Sequence, residues 1–311
     1  MKFGKVPYFD KEISRIVFGV MSLPTNDNVK AFELLDEYRA AGGNTIDNSY
    51  IYGPGFATVL RAYYEKRGED ALIRFDKGNH HSSHNDEGRR VTQEALDHDL
   101  RGNLERCGVS YSDFYVLHRD DPRVPVGDIV QWLNEHLAAG RIKAFGGSNW
   151  HHTRIADANE YAQAHGLQGF SVSSPNLCLA LANEPMWWEA YQVDRVGRDW
   201  YQQTGFPLFA WSSAGGGFFA GLETSDVRRV YHNAENFERL DRARSLAAEK
   251  GLTAPKIALA WTLNQPLNVW ALTGMDSVDQ IHQNVEALDI VLTPEELDYL
   301  ENGLIKQSVG T

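Results

Sequence analysis

Eight short runs of β-branched and aromatic residues alternate with longer stretches of helical periodicity, and this alternation constrains the fold more than any other feature of the chain. The spacing predicts strands over 15–20, 44–47, 72–76, 114–117, 143–147, 170–173, 207–211 and 268–272. Helices are predicted over 28–41, 57–66, 90–106, 126–139, 154–165, 185–203, 237–249, 255–264 and 278–287. A last helix is expected to begin at the cap signal Thr293-Pro294-Glu295-Glu296. Eight βα units fit a closed α/β architecture, a single (β/α)8 TIM barrel, better than an open doubly wound sheet. Division of the 311 residues by about 150 suggests two domains, yet such barrels run to about 250 residues or more as one unit. No low-complexity linker interrupts the chain, so one domain over 1–311 is expected.

Composition narrows the partners. With 30 Lys+Arg against 42 Asp+Glu, the formal net charge is −12 and no basic cluster offers a footprint for nucleic acid or an anionic membrane. No apolar run approaches the roughly 20 residues that a membrane helix needs. The opening Met1-Lys2-Phe3-Gly4-Lys5-Val6-Pro7 lacks the apolar core and cleavage site of a secretory signal, and a cytoplasmic location is expected. Cys107 and Cys178 stand in neither a metal-ligand nor a CxxC spacing and are read as two buried thiols. Nothing in the sequence bears on the oligomeric state.

In a barrel of this kind the chemistry gathers at the C-terminal ends of the strands. Three predicted strands deliver an ionisable residue there: Asp47 after the second, Lys77 after the third and His118 after the fourth, with Tyr52 in the loop just past Asp47. A phenol gives up its proton reluctantly near neutral pH, but a neighbouring ammonium favours the phenolate, and a carboxylate holds that ammonium in place. An imidazole beside them can orient a carbonyl oxygen. Singly, each residue has an ordinary structural explanation; together at one barrel face they form an acid–base group.

These residues carry a resemblance to the aldo-keto reductase superfamily that covers nearly the whole chain. It rests on Gly43-Asn44-Thr45-Ile46-Asp47 followed by Tyr52-Gly53, on Lys77 at a strand end, on Tyr115-Val116-Leu117-His118 and on Gly146-Gly147-Ser148-Asn149. The resemblance implies a barrel reductase that transfers hydride from a nicotinamide cofactor without a Rossmann fold. Tyr52 would be the general acid, Lys77 and Asp47 the pair that lowers its pKa, and His118 the group that orients the carbonyl.

The same resemblance places Ser148 and Asn149 on the nicotinamide amide and Trp211 where the family usually stacks a tyrosine on the nicotinamide face. Ser173 stands near the position of a customary glutamine. Ser212-Ser213-Ala214-Gly215-Gly216-Gly217 follows the seventh strand, where the family wraps a loop over the pyrophosphate, so Ser212 and Gly216 are expected to face it. The adenosine end falls on Gly274-Met275-Asp276-Ser277 and on to Gln280 and Asn284. NADPH-dependent relatives carry Lys or Arg there; this chain offers Asp276 and Asp279, which repel a phosphate but accept a hydrogen bond from a ribose hydroxyl. NAD(H) is therefore favoured, with NADP(H) the other candidate.

The loop after Lys77 contains His80, His81 and His84, whose spacing matches no common metal site, so no metal is expected. His80 or His81 is read as a polar substrate wall, with Met21, Phe56 and Trp150 as apolar walls. Mixed aromatic and polar surfaces suit a sugar-like or polyol-type aldehyde or ketone. A rival is a nucleotide-binding regulatory or auxiliary subunit with little turnover, as some relatives on this barrel serve ion channels. A third, a barrel isomerase or lyase, would bind neither nucleotide.

Overall fold

Alternation along each strand builds the barrel. In the computed structural model, which describes residues 1–303, eight parallel strands close into a ring in chain order. They are β1 (Ile16–Gly19), β2 (Thr45–Ser49), β3 (Ile73–Gly78), β4 (Ser112–Leu117), β5 (Ile142–Ser148), β6 (Val172–Ser174), β7 (Leu208–Ala210) and β8 (Val269–Thr273). Pairing of β8 with both β7 and β1 completes the ring. The expected (β/α)8 barrel is thus the observed one.

Successive side chains on a strand point to opposite faces. Ile73 and Phe75 on β3, Phe114 and Val116 on β4, Val172 on β6, Phe209 on β7 and Trp270 and Leu272 on β8 share one inner cluster. Within it Phe209 stacks on Phe75 at 4.8 Å and on Trp270 at 4.7 Å between ring centroids. Each such buried aromatic is worth about 1.5–3 kcal/mol relative to an exposed one. The sequence before β1 forms a small antiparallel hairpin, Phe3–Gly4 with Ile13–Ser14. It brings Phe9 to 4.5 Å from Phe114 and, with Val6 and Ile13, closes the end where the strands begin.

The helices are α1 (Asn28–Ala40), α2 (Pro54–Arg67), α3 (Gln93–Cys107), α4 (Val126–Ala138), α5 (His152–Ala164), α6 (Arg195–Thr204), α7 (Ser225–Tyr231), α8 (Ala234–Lys250), α9 (Ala254–Leu263), α10 (Val278–Glu286) and α11 (Pro294–Asn302). Their starts follow capping chemistry. Asp27, Thr92, Asp194, Asn233 and Ser277 each accept a backbone N–H of the first turn, and Thr293 with Glu296 forms a reciprocal capping box.

Three sequence expectations change. The helix expected over 185–203 begins only at Arg195, where Asp194 caps it. Residues 175–194 instead form an irregular loop over the barrel mouth, held by Gln192, whose amide donates to Asn176 Oδ1 at 2.8 Å and to the Ala180 carbonyl at 2.9 Å. Pro185, where the sequence predicts a helix start, lies in that loop. The short helix α7 has no counterpart among the predicted helices. The β6 pairing region is shifted, ending at Ser174 rather than Ser173. Residues 304–311 of the expected domain lie outside the described residues.

Candidate active site

The inner-face rhythm of apolar residues continues one step further at the C-terminal ends of β3 and β4, where it becomes ionisable, and β2 presents Asp47 on the same inner face. Register places Asp47 of β2 beside Phe75 of β3, and Ser49 beside Lys77. Lys77 is therefore the next inner residue above Phe75, and His118 the next above Val116; the His118 N–H donates to the Gly78 carbonyl at 2.7 Å and fixes its height. Tyr52 reaches the group from the single helical turn Tyr50–Tyr52 that follows β2.

The Lys77 ammonium donates to Asp47 and, at 3.4 Å, to the Tyr52 hydroxyl. Lys77 and Asp47 are both buried, at 2% and 6% exposure. Burial pulls the Lys77 pKa down, but Asp47 and Tyr52 more than offset it and hold the ammonium above its ordinary value. Burial raises the Asp47 carboxyl against the pull of Lys77. The Tyr52 phenol is likewise raised by burial in the open cavity, while Lys77 and, more weakly, Arg119 act to lower it. Lys77 alone therefore does not bring Tyr52 below an ordinary phenol, as the residue types suggested; it limits how far burial lifts it.

His118 is pushed well below the ordinary imidazole value by burial and by the positive charges of Lys77 and Arg119, so it is neutral. Its Nδ1 lies 3.0 Å from the Ser49 hydroxyl, and its ring meets Tyr52 edge-on at 5.9 Å. The four expected catalytic residues are thus assembled in one place.

They open onto a cavity of about 510 Å³ that runs across the barrel mouth. Its wall includes Asp47, Tyr52, Lys77, His118, Ser148, Asn149, Trp211, Ser212, Gly216, Gly274, Asp276, Gln280, Asn284 and Met21. Most of the expected cofactor positions therefore share one continuous surface. The loop after β7 reaches it through glycines with positive φ, 59° at Gly216 and 93° at Gly217, backbone that other residues adopt at a cost. Ser22, itself in the wall, anchors the far side by accepting the Met275 N–H at 2.9 Å.

Asn149 does more than line the wall. Its Nδ2 donates to the His118 carbonyl and to Ser148 Oγ, each at 3.2 Å, and its Oδ1 accepts from Trp211 Nε1 and the Tyr191 N–H, each at 3.1 Å. All four hydrogen-bonding positions of the amide are filled by protein. Asn149 is thereby built to position Trp211 against His118, and Ser148, whose hydroxyl donates to the Ser174 carbonyl at 2.8 Å, keeps the free acceptor site.

Several expected contacts fall elsewhere. Ser173 is one residue out of phase: Val172 and Ser174 face the barrel axis, and the Ser173 hydroxyl meets Tyr201 of α6 at 2.7 Å. Trp150 is fully buried in the helix layer, its Nε1 donating to the Arg119 carbonyl at 3.2 Å. A Cβ on Gly147 would come within 2.7 Å of the Trp150 ring, and one on Gly146 would clash with the Val172 carbonyl, which together account for the Gly-Gly pair on β5. Phe56 packs beside the apolar cluster beneath α1 and α2 rather than on the cavity. His81 is buried against Trp188, at 4.8 Å, and does not reach the cavity wall. His80 is closer, with its ring 4.8 Å from that of His118, yet it too stands behind the wall. Of the five expected substrate residues, Met21 alone lines the cavity.

Residues that the sequence did not single out take their places. Arg119, directly after His118, and Trp187, whose ring lies 5.3 Å from that of Trp211, line the cavity, as does Gln283. The signal for Arg119 was its position at a strand end; none existed for Trp187, which depends on the conformation of the loop before α6. Among the described residues no cluster of metal-ligating side chains occurs, and no helix is long and apolar enough to cross a membrane.

The model of the Aldo/keto reductase family matches residues 15–304. The chain belongs to that family. It is 26% identical over 296 residues, 88% of this chain and 87% of the relative, to a probable voltage-gated potassium channel subunit beta of Oryza sativa subsp. japonica. It is 28% identical over 287 residues to norsolorinic acid reductase stcV of Emericella nidulans, covering 88% of this chain and 71% of the relative. The crystal structure of the thermostable aldo-keto reductase Tm1743 with the inhibitor epalrestat superposes with a TM-score of 0.74 at 20% identity, over 97% of this chain and 99% of the other. That last likeness establishes the fold, and the family is one of oxidoreductases that use nicotinamide cofactors. Because Ser173 points into the helix layer, Ser173→Ala is expected to leave nucleotide affinity within about twofold of wild type by fluorescence titration, since no contact to the cavity is lost. A tenfold weakening would put it back at the cofactor.

Proposed function

We propose that the protein transfers hydride between a nicotinamide dinucleotide and a carbonyl or alcohol substrate, with Tyr52 as general acid. The observation that carries this is the assembly of Tyr52, Lys77, Asp47 and His118 at one end of the cavity whose other end is lined by Gln280 and Asn284. The residues suit the dinucleotide. The volume lies within the roughly 300–1,000 Å³ of small-molecule sites. Trp211 offers an indole face, Ser148 an acceptor for a carboxamide N–H, the positive-φ glycines close backbone approach, and Gln280, Gln283 and Asn284 polar groups at the far end. When bound, the nicotinamide supplies or accepts the hydride.

The side chains manage the proton. Ser49 has one hydroxyl hydrogen, which can go to His118 Nδ1 at 3.0 Å or to the Lys77 carbonyl at 3.2 Å. When it goes to Nδ1, the neutral imidazole carries its proton on Nε2 and can donate to a substrate carbonyl oxygen. Tyr52 then delivers its proton to that oxygen as negative charge develops on it, and the Lys77 ammonium stabilises the phenolate that remains. Asp47 keeps the ammonium aimed.

NAD(H) is the cofactor this chain favours. Among the cavity-lining residues the cations are Lys77 and Arg119, both at the catalytic end, whereas the adenosine end presents Asp276. Lys256, next to the cavity-lining Pro255, is paired with Glu286 at 2.5 Å. Among the described cavity-lining residues a 2′-phosphate would meet a carboxylate and no counter-charge at that end. The expected result is a higher kcat/KM with NADH than with NADPH, and Asp276→Arg should move that ratio toward NADPH by about tenfold or more, an effect of about 1.4 kcal/mol. A preference for NADPH in the unmodified protein would overturn this assignment. The aromatic wall of Trp187 and Trp211 beside the donors of His118 and Arg119 suits a hydroxylated, sugar-like aldehyde or ketone, reduced in the cytoplasm.

The likeness to a channel beta subunit supports a second reading, nucleotide binding with little turnover. The complete catalytic group favours the enzyme. A nicotinamide-absorbance assay over a carbonyl panel decides: binding of nucleotide with no turnover of any carbonyl would leave the auxiliary role.

A further inference from the structure

Arg119 is the one cavity-lining cation without a carboxylate partner among the described residues, and it stands at the catalytic end. Only 3% of its surface is exposed. Nε donates to the Trp188 carbonyl at 3.1 Å and Nη1 to the His118 carbonyl at 2.8 Å, so two backbone oxygens hold the guanidinium in plane. Among the described residues no acceptor takes a hydrogen bond from Nη2. The nearest acidic influence besides Tyr52 is Glu189, and that carboxylate is already taken by both Nη atoms of Arg89. The residues that fix Arg119 are themselves fixed: Asn149 ties the His118 carbonyl from the other side, and Arg89 lies over the Trp188 ring at 5.0 Å.

Burying a guanidinium costs several kcal/mol unless an opposite charge compensates it. Burial lowers the Arg119 pKa to about 10, which still leaves it charged at neutral pH. A fold that needed only a prop between two carbonyls could use a neutral amide. An oriented, uncompensated cation with one free donor edge facing a substrate cavity is instead a receptor for an anionic group.

Resting on the hydride-transfer reading of this cavity, we propose that Arg119 selects carbonyl substrates that carry a carboxylate, such as oxo acids and sugar acids, by pairing with that carboxylate through Nη2. One positive charge matches one carboxylate. A phosphate monoester, near −2, would want a second cation, and Lys77 is engaged by Asp47. The chain's acidity of −12 makes this local exception the more selective, because elsewhere an anion is repelled.

The decisive measurement does not need turnover. With NAD+ bound, malonamate, which is unreactive and carries one carboxylate, and malonamide, its neutral counterpart, are titrated against the fluorescence of the cavity tryptophans. Malonamate should bind at least tenfold more tightly, and Arg119→Gln should erase the difference while leaving malonamide unchanged. In turnover, glyoxylate should be preferred over glycolaldehyde, and D-glucuronate over D-glucose, by tenfold or more in kcat/KM, lost in Arg119→Gln mainly through KM. Equal binding of the two amides by the wild type overturns the proposal without any variant. So does an Arg119→Gln that lowers kcat equally for charged and neutral carbonyls and shifts the pH profile, since Arg119 would then act only on Tyr52. A stronger preference for glyceraldehyde 3-phosphate over glyceraldehyde than for the carboxylates would reassign the anion and overturn it as well. Should no carbonyl turn over while malonamate selectivity depends on Arg119, the anion site stands and the hydride-transfer reading fails.

Discussion

Tyr52→Phe is expected to lower kcat for carbonyl reduction by roughly 10²–10⁴-fold, the usual contribution of a positioned general acid, while nucleotide affinity stays within about twofold of wild type. The phenol is half-buried and its hydroxyl accepts from Lys77 at 3.4 Å, so the substitution removes one oxygen without opening a core cavity. Folding should be unchanged, and a loss of activity would report on the proton. The pH dependence has a definite sign. Burial keeps Tyr52 above the ordinary phenol value, against the opposing pull of Lys77. Reduction needs the protonated phenol, so its kcat should be level from about pH 6 to about pH 9. Oxidation needs the phenolate to receive the proton, so its kcat should climb with pH over the same range. His118, held neutral by burial and by the charges of Lys77 and Arg119, adds no acid limb in that window. A reduction rate that falls with an apparent pKa near 7, or a Tyr52→Phe that retains a third of wild-type kcat, would show that another group supplies the proton.

The barrel was legible because its signal is repeated. Seven of the eight strands carry apolar residues in phase with the inner face, β2 alone among them presenting Thr45, Asp47 and Ser49 there, and an error in one strand does not alter the count. The assembly of the candidate acid–base group was legible for a related reason: Lys77 and His118 continue that phase one step past Phe75 and Val116, and polar residues in phase at a strand end have only the barrel mouth to face. The same rule, applied strictly, would have excluded Ser173, because Val172 inside puts Ser174 inside and Ser173 in the helix layer. Trp150 was misplaced by a different cause. Asn149 adopts a left-handed φ of 62°, which turns the chain back so that the next side chain lies over Gly147 instead of the cavity. Sequence spacing carries no sign of such a reversal.

The loops were least legible. Residues 175–194 looked helical from Pro185 onward, but tertiary pairing outweighs local propensity there: Asn176 bridges both Gln192 and Trp211, and Arg89 clasps Glu189. This loop supplies Trp187 to the cavity and the carbonyl of Trp188 to Arg119. Its conformation therefore decides which residues line that side of the cavity, and Trp188 packs against His81 away from the cavity wall. Arg119 follows His118 immediately, one residue past the last in-phase position of the strand, where phase no longer marks a side chain as facing the cavity.

The second large effect belongs to Lys77, where stability and activity should part company. Lys77→Met leaves the Asp47 carboxylate buried with no cation beside it, and breaking a buried pair from one side costs about 3–5 kcal/mol, a fall in Tm on the order of 5–10 °C for a chain of this size. Activity should fall by roughly a hundredfold or more as well, since Tyr52 loses the one side chain among the described residues that donates to its hydroxyl oxygen. Adding Asp47→Leu to Lys77→Met removes the stranded charge, and replacing both members of a buried pair by apolar groups is often neutral or better. The double variant should regain most of the lost Tm and none of the lost kcat. That pattern separates two roles one residue could otherwise blur: the pair is costly to the fold when halved, yet the fold does not require it. If the double variant melted as low as Lys77→Met, the ion pair would be a structural strut. If it recovered kcat, Tyr52 would not depend on the ammonium, and the proton would have to be managed by His118.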